Sequence, residues 1–349
     1  MSVLIICEKP SVAKTVALAL GAAEQKDGYL SGDGLLVSWC IGHLISMADA
    51  GSYDERYKKW RYEDLPILPQ TWKYAPTPGK EKQLAVLKEL LHRSDVSEVG
   101  NGCDAGREGE LIFRFVYEQV GCTKPFSRLW ISSMEDSAIR EGFAGRRAGT
   151  EYDALYQSAL CRARADWLVG INATRLFSVL YHKTLNVGRV LSPTLNLLVE
   201  RDGKITMFHK EKYHIVHIDC GGVDAESERI SDAAAADALR TACKSSQAVC
   251  VFLKKEKKTA LPPKLFDLTS LQREANRVYG FTAKQTLDYA QSLYEKRFLT
   301  YPRTDSNYLT EDMSQTATDL VAALLPVLPF MQGAELTPEI GRVINSAKV

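Results

Sequence analysis

The sequence lacks any Cys-x-x-Cys pair, although it contains eight cysteines among its 349 residues. Zinc ribbons and dithiol redox motifs are built on such pairs, so neither is expected in this stretch of sequence. Five of the cysteines sit beside apolar or small residues, as buried thiols usually do. We therefore predict reduced cysteines and a cytoplasmic location.

Long apolar runs are missing too, since no stretch approaches the roughly 18 residues that a transmembrane helix needs. The apolar start at residues 3–7 meets Glu8 at once, which is too early for a signal peptide. The composition, 45% hydrophobic and 25% charged, is ordinary for a folded chain of several domains. We expect no membrane association.

An excess of one charge is also lacking, because 44 basic residues oppose 43 acidic ones. The resulting net charge of +1 neither requires nor excludes a polyanionic partner. Locally the balance shifts to seven basic against three acidic residues over 155–204, and to eleven against five over 253–303. Such clusters fit contacts with phosphate groups, and they equally fit solvated helical faces.

The apolar run at residues 3–7 has the length of a buried strand, and an amphipathic stretch to Leu20 predicts a helix after it. We expect Ser11 to cap that helix. Ligands of open α/β sheets bind at the carboxyl ends of strands, which is where Glu8 would lie. The alternative is a surface glutamate that merely precedes a helix.

A second acidic group is Asp104-Ala105-Gly106-Arg107-Glu108-Gly109-Glu110, directly before an apolar run at 111–113. Its glutamates fall in or near a first helical turn, where the helix dipole alone favours negative charge. The functional alternative is a Mg²⁺ site, in which a few carboxylates hold a hard cation and leave positions for phosphate oxygens.

The segment Leu299-Thr300-Tyr301-Pro302-Arg303-Thr304-Asp305-Ser306 places a phenol, a fixed turn, a guanidinium and a carboxylate close together. A tyrosine is a weak nucleophile near its ordinary pKa of about 10 and needs a group that stabilises the developing charge. Arg303 can do this by bidentate contact with a phosphate. The alternative is a tyrosine that packs under a turn at a strand end.

The middle of the chain, residues 160–175, has helical character and places Arg164, Trp167, Ile171 and Arg175 along one side. Residues 186–194 then break the helix with glycine and proline. Alternating patterns at 213–219 and 248–253 predict strands on either side of an alanine-rich helix near 232–243. Residues 254–263 read as a linker.

Several of these strings together resemble the type IA DNA topoisomerases, in their topoisomerase III branch. The Tyr301 segment resembles the catalytic motif, and Glu8-Lys9-Pro10-Ser11 with the 104–110 string resembles the Toprim domain. The strings around His43 and Trp60 and the segment at 186–194 also resemble the family. The resemblance extends over nearly all of the chain.

The resemblance implies that Tyr301 attacks a single-stranded DNA phosphodiester and becomes linked to the 5′ phosphate, while Arg303 steadies the scissile phosphate. It implies that Glu8 and Lys9 are catalytic residues alongside these two, with Lys9 assisting proton transfer to the leaving oxygen. It also implies that Glu8, Asp104 and Glu108 hold Mg²⁺. An aromatic ring beside an arginine is also a surface on which bases stack. The expected DNA contacts are Trp60, Trp167, Arg175, Asn186, Val187, Gly188, Arg189, Val190, Leu191 and Arg303.

The sequence departs from the family pattern at two positions. Gly106 stands where the commoner Asp-x-Asp-x-Glu pattern has its second aspartate, so the cation would have one ligand fewer. Leu191 replaces the usual glutamine of the Gly-Arg-Val-Gln-Ser-Pro-Thr segment, which removes a polar contact to base or sugar.

The resemblance implies a multidomain α/β plus α fold that begins with a Toprim domain of mostly parallel sheet. We expect the Toprim domain at 1–145, the first part of a helical DNA-binding domain at 150–205, the first part of a strand-rich gate domain at 206–262, and an incomplete tyrosine-bearing helical domain at 263–349. Family members continue for two or three hundred residues and close a ring around DNA. The expectation is therefore a truncated chain with an incomplete ring.

The leading functional hypothesis is Mg²⁺-dependent cleavage, strand passage and religation of single-stranded or underwound DNA. No Gly-x-x-x-x-Gly-Lys-Ser/Thr loop is present, which fits chemistry that needs no ATP. A helicase or the missing carboxyl-terminal part are the expected protein partners. One alternative is a catalytically impaired DNA-binding fragment. Another Toprim enzyme, a primase or nuclease, would not account for the Tyr301 segment.

Overall fold

The computed structural model of the protein describes residues 1–131, 134–296, 298–329 and 339–348. The chain divides into two compact units. The first joins Met1–Arg189 to Lys264–Val349, and the second is Val190–Pro263.

The first unit is built on a mixed sheet. Its strands are β1 (Ser2–Cys7), β2 (Glu24–Lys26), β3 (Tyr29–Gly32), β4 (Leu35–Trp39), β5 (Ile45–Met47), β6 (Tyr74–Pro76), β7 (Val96–Gly102), β8 (Phe126–Arg128) and β9 (Arg147–Ala148). Within the described ranges, seven of them form one sheet in the order β2-β3-β4-β1-β7-β8-β9. The central β4, β1, β7 and β8 are parallel, whereas β2, β3 and β9 pair antiparallel at the edges. β5 and β6 form a separate antiparallel pair.

Helices cover the sheet and extend the unit beyond it. They are α1 (Pro10–Ala19), α2 (Glu81–His92), α3 (Arg107–Gln119), α4 (Asp136–Ala144), α5 (Asp153–Leu180), α8 (Leu268–Tyr279), α9 (Ala283–Glu295) and α10 (Ser314–Leu324). Among the described helices, none is both long and apolar enough to cross a membrane.

The central strand β1 is buried on both faces, which explains its continuous apolar sequence. Ile5 and Cys7 pack into one core cluster with α1 and α4, and Leu4 and Ile6 pack into a second cluster with α2 and α3. The Toprim-type α/β architecture expected from the sequence is confirmed. The expected cap is wrong: α1 begins at Pro10 with Lys9 before it, and Ser11 lies inside the first turn. Proline is pre-organised for that position because its φ is fixed and it has no N–H to satisfy.

The helix predicted at 160–175 is the middle of α5, which runs over 28 residues. Its first turns bury Tyr156 and Leu160 against Leu111 and Phe115 of α3. Farther along the chain, α8 and α9 each begin with a capping box, formed by Asp267 with Ser270 and by Thr282 with Gln285. In such a box each side chain accepts from or donates to the other residue's backbone, so the helix start is well defined.

The second unit contains α6 (Leu191–Thr206), β10 (His217–Asp219), β11 (Asp224–Glu226) and α7 (Ala233–Ser245). The alanine-rich helix predicted near 232–243 is α7. Asp232 caps it by accepting hydrogen bonds from the backbone N–H groups of Ala234 and Ala235. Pro193 lies in the first turn of α6 and does not break a helix; the break is the stretch 181–190 before it.

The strand prediction in the second unit is correct only in part. The pattern at 213–219 yields a short strand at 217–219, paired with β11. The strand predicted at 248–253 is wrong, because these residues have no regular structure, and Val251 and Leu253 are 92% and 85% exposed. An alternating pattern of apolar and polar residues forms a strand only where a neighbouring strand supplies partners for its backbone hydrogen bonds. In the described part of this unit, no strand pairs with residues 248–253.

A buried ionic network fixes the loop that follows β7. The Glu110 carboxylate has no solvent exposure; its oxygens accept hydrogen bonds at 2.9 Å from Arg114 Nε and from Asn101 Nδ2. Arg128 Nε lies 3.2 Å from the same carboxylate, and its Nη2 donates to the backbone oxygen of Asp104 at 2.6 Å. One carboxylate thus joins strands β7 and β8 to the start of α3.

Replacing Glu110 with alanine tests this network. The change leaves Arg128 buried without its counter-ion, and we expect the free energy of unfolding to fall by about 3–5 kcal/mol. Urea denaturation followed by circular dichroism measures the fall. The matched control is Glu89→Ala on the exposed face of α2, which should change stability by less than about 0.5 kcal/mol. Equal losses in the two variants would contradict the assigned role.

Candidate active site

Side chains from three distant parts of the sequence meet at the carboxyl edge of the main sheet. Glu8 follows β1, Asp104 follows β7, and Tyr301 lies after α9. The Tyr301 hydroxyl donates a hydrogen bond to Asp104 Oδ2 at 3.0 Å, although the two residues are 197 positions apart. The structure therefore brings the predicted nucleophile to two of the predicted carboxylates.

Glu8 is the most buried of these groups, with 7% of its surface exposed. Burial and, secondarily, the negative charge of Asp104 raise the pKa of the Glu8 carboxyl to about 7, against the lowering effect of Lys9 and Arg303. Near neutral pH this carboxyl can therefore both hold and release a proton.

Tyr301 is half-buried, and its phenol is held in the protonated form. Burial raises the pKa of Tyr301 well above its ordinary value, and the charge of Asp104 raises it further. Arg303 is exposed and acts in the opposite direction on the pKa of Tyr301. The phenolic proton points at a carboxylate that can accept it, and the nearby guanidinium favours the charged product.

The carboxylate pair fits a hard divalent cation, but the predicted third ligand is elsewhere. Glu8 and Asp104 offer oxygen donors of the kind that Mg²⁺ prefers. Burial is the main cause of the raised pKa of Glu8, and the charge of Asp104 is the second cause, which a bound cation would offset. Glu108 is exposed, and its carboxylate lies 3.7 Å from His43 Nε2. Across the residues that the structure describes, no group of three or more acidic, histidine or cysteine side chains is arranged to hold a metal.

The two glycines in the 104–110 string differ in whether the surrounding structure leaves room for a side chain, and the sequence alone does not show this difference. A Cβ at Gly109 would lie 2.2 Å from the backbone oxygen of Asp104, so only glycine lets α3 approach that loop. Gly106 has no atom within 4 Å of a built Cβ, and its φ of 177° is ordinary extended backbone. The position of the Asp104 backbone therefore requires glycine at position 109 but not at position 106.

The sequence analysis also missed Asn101, Glu110 and Arg128, which hold the Asp104 loop. Glu110 was noted only as an acid near a helix start. Arg128 lies in β8 and has no local motif, because its partners come from another strand and from a loop. Only the three-dimensional contacts identify these residues.

The predicted DNA contacts Trp60 and Arg175 lie together. The Arg175 guanidinium is 5.5 Å from the centre of the Trp60 ring, with Arg175 only 6% exposed and Trp60 43% exposed. Nε and Nη1 of Arg175 are buried and have no hydrogen-bond partner among the described residues. The pair presents an aromatic surface with a positive charge beside it.

Trp167 lies farther back on the same helix and is half-buried. Its ring packs against Tyr53 and Trp72, with centroids 5.5 Å away in each case. Its indole N–H donates to the backbone oxygen of Ala48 at 3.0 Å. Both contacts hold α5 against the segment that contains β5.

The predicted contact segment 186–191 begins as an irregular stretch beside α5. Asn186 is exposed, the Val187 N–H donates to Thr174 Oγ1 at 2.9 Å, and Gly188 is half-buried. The guanidinium of Arg189 donates twice to the Asp166 carboxylate, at 2.8 and 3.3 Å. Val190 and Leu191 are exposed and belong to the second unit.

Alanine substitutions at the two glycines test the reading of the 104–110 string. We expect Gly109→Ala to lower the free energy of unfolding by about 1–3 kcal/mol, because the new methyl group forces the Asp104 backbone to move. Gly106→Ala is the matched control and should change it by less than about 0.5 kcal/mol. Thermal and urea unfolding measure both, and a tolerant Gly109 would overturn the packing argument.

Comparisons with known proteins match this chain to DNA topoisomerases. Residues 150–335 match the family described as DNA topoisomerase, and residues 3–134 match the Toprim domain. The chain is 39% identical to DNA topoisomerase 3 of Shouchella clausii and 40% identical to that of Bacillus subtilis. Both matches cover 99% of this chain and 49% of the relative, so the chain spans about half the length of these curated relatives.

A solved structure shows the same fold. Full-length topoisomerase I from Thermotoga maritima matches with a TM-score of 0.66 and 25% identity, over 99% of this chain and 58% of that one. The sequence match, the fold and a tyrosine beside paired carboxylates together show that the chain belongs to the type IA DNA topoisomerase family and is similar to its topoisomerase III branch.

Proposed function

We propose that this chain cleaves one strand of DNA through a 5′-phosphotyrosine at Tyr301, with strand passage and religation that need Mg²⁺ but no ATP. The observation that carries the proposal is the hydrogen bond from Tyr301 to Asp104, at 3.0 Å. It supports the proposal because it places a nucleophile and a proton acceptor together at the edge of the sheet where ligands of such folds bind.

The cleavage step is a transesterification in which the proton and the leaving group are both accounted for. Asp104 accepts the phenolic proton as Tyr301 Oη bonds to phosphorus, and the bond from phosphorus to the 3′ oxygen breaks. Lys9 supplies a proton to that oxygen, which leaves as a 3′ hydroxyl. Religation is the reverse, because the phosphotyrosine bond retains the energy of the phosphodiester.

The other charged groups around Tyr301 have separate proposed roles in binding the phosphate and the cation. Arg303 is exposed, acts electrostatically on both Glu8 and Tyr301, and would stabilise the scissile phosphate. Glu8 and Asp104 would hold Mg²⁺, which when bound neutralises charge on the phosphate. Glu108 remains a proposed ligand only if its side chain turns from His43 towards the pair.

Strand recognition is assigned to α5 and the segments beside it. Trp60 is positioned for base stacking, worth about 1–3 kcal/mol per base, with the Arg175 charge beside its ring. Trp167 and residues 186–189 would contact the same strand, and Val190 and Leu191 of the second unit are also proposed DNA contacts. The domain division proposed with this function is Toprim 1–145, helical 150–205, strand-rich 206–262 and tyrosine-bearing 263–349.

The first test is covalent capture. The chain is incubated with single-stranded oligonucleotides labelled at either end plus Mg²⁺, and denaturing gels reveal any protein–DNA adduct. We expect an adduct that keeps the 3′ label and disappears in Tyr301→Phe. Tyr279→Phe, which changes a 70% exposed tyrosine, is the matched control and should keep it.

The alternative outcomes of that test separate the hypotheses. DNA binding without an adduct would reject the proposed enzyme in this chain and favour a DNA-binding fragment. An adduct that keeps the 5′ label would contradict 5′-phosphotyrosine chemistry. Full relaxation of supercoiled plasmid by the chain alone would show that strand passage needs nothing beyond these residues.

A second prediction concerns the ion pair between Asp166 and Arg189. The carboxylate accepts from two of the three nitrogens of a guanidinium proposed to bind phosphate, so a DNA phosphate that binds the same edge must displace it. We expect Asp166→Asn to raise affinity for single-stranded DNA several-fold and to steepen the slope of log K against log salt by about 0.7, one phosphate contact. Fluorescence anisotropy across a salt series measures both.

The control for this prediction is a double-mutant cycle. Asp166 also lies 3.9 Å from Arg162 Nε, so the cycle uses an Arg162→Ala/Arg189→Ala background. There, Asp166→Asn should leave the salt slope unchanged, because both guanidinium groups that it would release are gone. The same rise in affinity and slope with and without these arginines would mean that the carboxylate acts only by general repulsion.

A further inference from the structure

Tyr294 is a second tyrosine beside the candidate nucleophile. Its string, Gln291-Ser292-Leu293-Tyr294-Glu295, is among those that resemble the family, but the resemblance assigned Tyr294 no role. It lies near the end of α9 and has 1% of its surface exposed. Its side chain belongs to the core cluster that contains Ile5 and Cys7 of β1. In the described residues that follow α5, it is the only side chain fully buried in that cluster.

Helix α9 fixes the position of Tyr294 from one side. Thr286, Ala290 and Tyr294 are four residues apart and form the buried face of the helix. The capping box of Thr282 and Gln285 defines where the helix begins. The burial of this face therefore sets the rotation of α9 and with it the direction of the Tyr294 ring.

The Tyr294 ring makes an edge-to-face contact with the ring of Tyr301. The centroids are 5.5 Å apart and the planes are inclined at 68°. A hydrogen bond from the Phe298 N–H to the Leu293 oxygen at 2.9 Å closes the turn that leads from one tyrosine towards the other. Tyr301 itself lies outside any helix or strand, so no backbone ladder orients its ring.

Two contacts therefore define where the Tyr301 hydroxyl lies. The hydrogen bond to Asp104 holds the oxygen, and the Tyr294 ring limits how the Tyr301 ring can turn. Tyr294 also belongs to the core cluster that contains Ile5 and Cys7 of β1, the strand that Glu8 follows. The same side chain thus links the nucleophile to the core beneath one of the carboxylates.

We propose that Tyr294 is a positioning residue that holds Tyr301 in line for attack, and that its aromatic ring, not its hydroxyl, does this. The proposal rests on cleavage by Tyr301. Displacement of an attacking atom by about 1 Å can cost roughly a hundredfold in rate. Because the Tyr294 ring limits rotation of the Tyr301 ring, it would affect the rate of cleavage and leave the affinity for DNA unchanged.

The test compares variants that keep or remove the ring. Tyr294→Phe keeps it and should form the adduct within about twofold of the wild-type rate at saturating oligonucleotide. Tyr294→Leu and Tyr294→Met remove it and should lower that rate about 10- to 100-fold. The dissociation constant for the oligonucleotide should change less than about twofold in all three variants.

The matched control removes an aromatic ring from a different buried cluster. Phe115→Leu truncates a side chain that is 3% exposed and packs against Tyr74, away from Tyr301. It should lower thermal stability as the Tyr294 variants do but cleave at the wild-type rate. A rate loss that follows thermal stability across all variants would overturn the proposal.

A spectroscopic readout separates this proposal from the proposed function. In protein labelled with ¹³C at the tyrosine ring, the Tyr301 signals are those missing from Tyr301→Phe. They should carry a ring-current shift that persists in Tyr294→Phe and is lost in Tyr294→Leu and Tyr294→Met. A wild-type chain that forms no adduct would refute cleavage, and this shift would then decide the positioning role alone. Unchanged Tyr301 signals in the leucine and methionine variants would refute positioning.

Discussion

The buried carboxylate of Glu110 is the constraint on which the candidate site depends. It accepts hydrogen bonds from Asn101 and Arg114 and forms an ion pair with Arg128. Arg128 in turn donates a hydrogen bond to the backbone oxygen of Asp104. A buried ion pair adds little net stability over a well-packed apolar replacement, because removing the charges from water is costly. The consequence of this network is therefore geometric: it fixes the loop after β7, and that loop carries the acceptor for Tyr301.

The reaction centre gathers more negative charge than its surroundings neutralise. Burial is the largest cause that disfavours ionisation of Glu8 and of Tyr301. The charge of Asp104 adds to the effect on both groups, and the charge of Glu8 adds to the effect on Tyr301. Lys9 and Arg303 compensate only in part. The same imbalance explains why the protein holds its phenol protonated and why a cation fits beside it.

The sequence predicted the parts of the fold that are encoded locally. The strand at 3–7, the helix at 160–175 and the alanine-rich helix near 232–243 follow from apolar runs, periodicity and composition, and the structure contains each of them. The strand predicted at 248–253 failed because its pattern needed a neighbouring strand. The cap assigned to Ser11 failed because proline occupied the first helical position.

The site was predictable only as far as its motifs extend. Tyr301, Glu8 and Asp104 stand in short recognisable strings. Arg128 instead contacts the Asp104 loop from another strand, and Tyr294 is buried in a cluster with residues of β1. Glu108 is an acidic residue in the 104–110 string, and the sequence therefore predicted it as a metal ligand. Its placement beside His43 follows from the start of α3, and no pattern of residue types reveals that direction.

The open space around Gly106 has an evolutionary consequence. No atom lies within 4 Å of a Cβ built there, and the backbone is extended, so an aspartate would fit without moving the loop. Glycine and aspartate codons differ by a single base. The acidic set of this chain can therefore gain or lose a carboxylate in one mutational step, while Gly109 three positions later allows no such exchange.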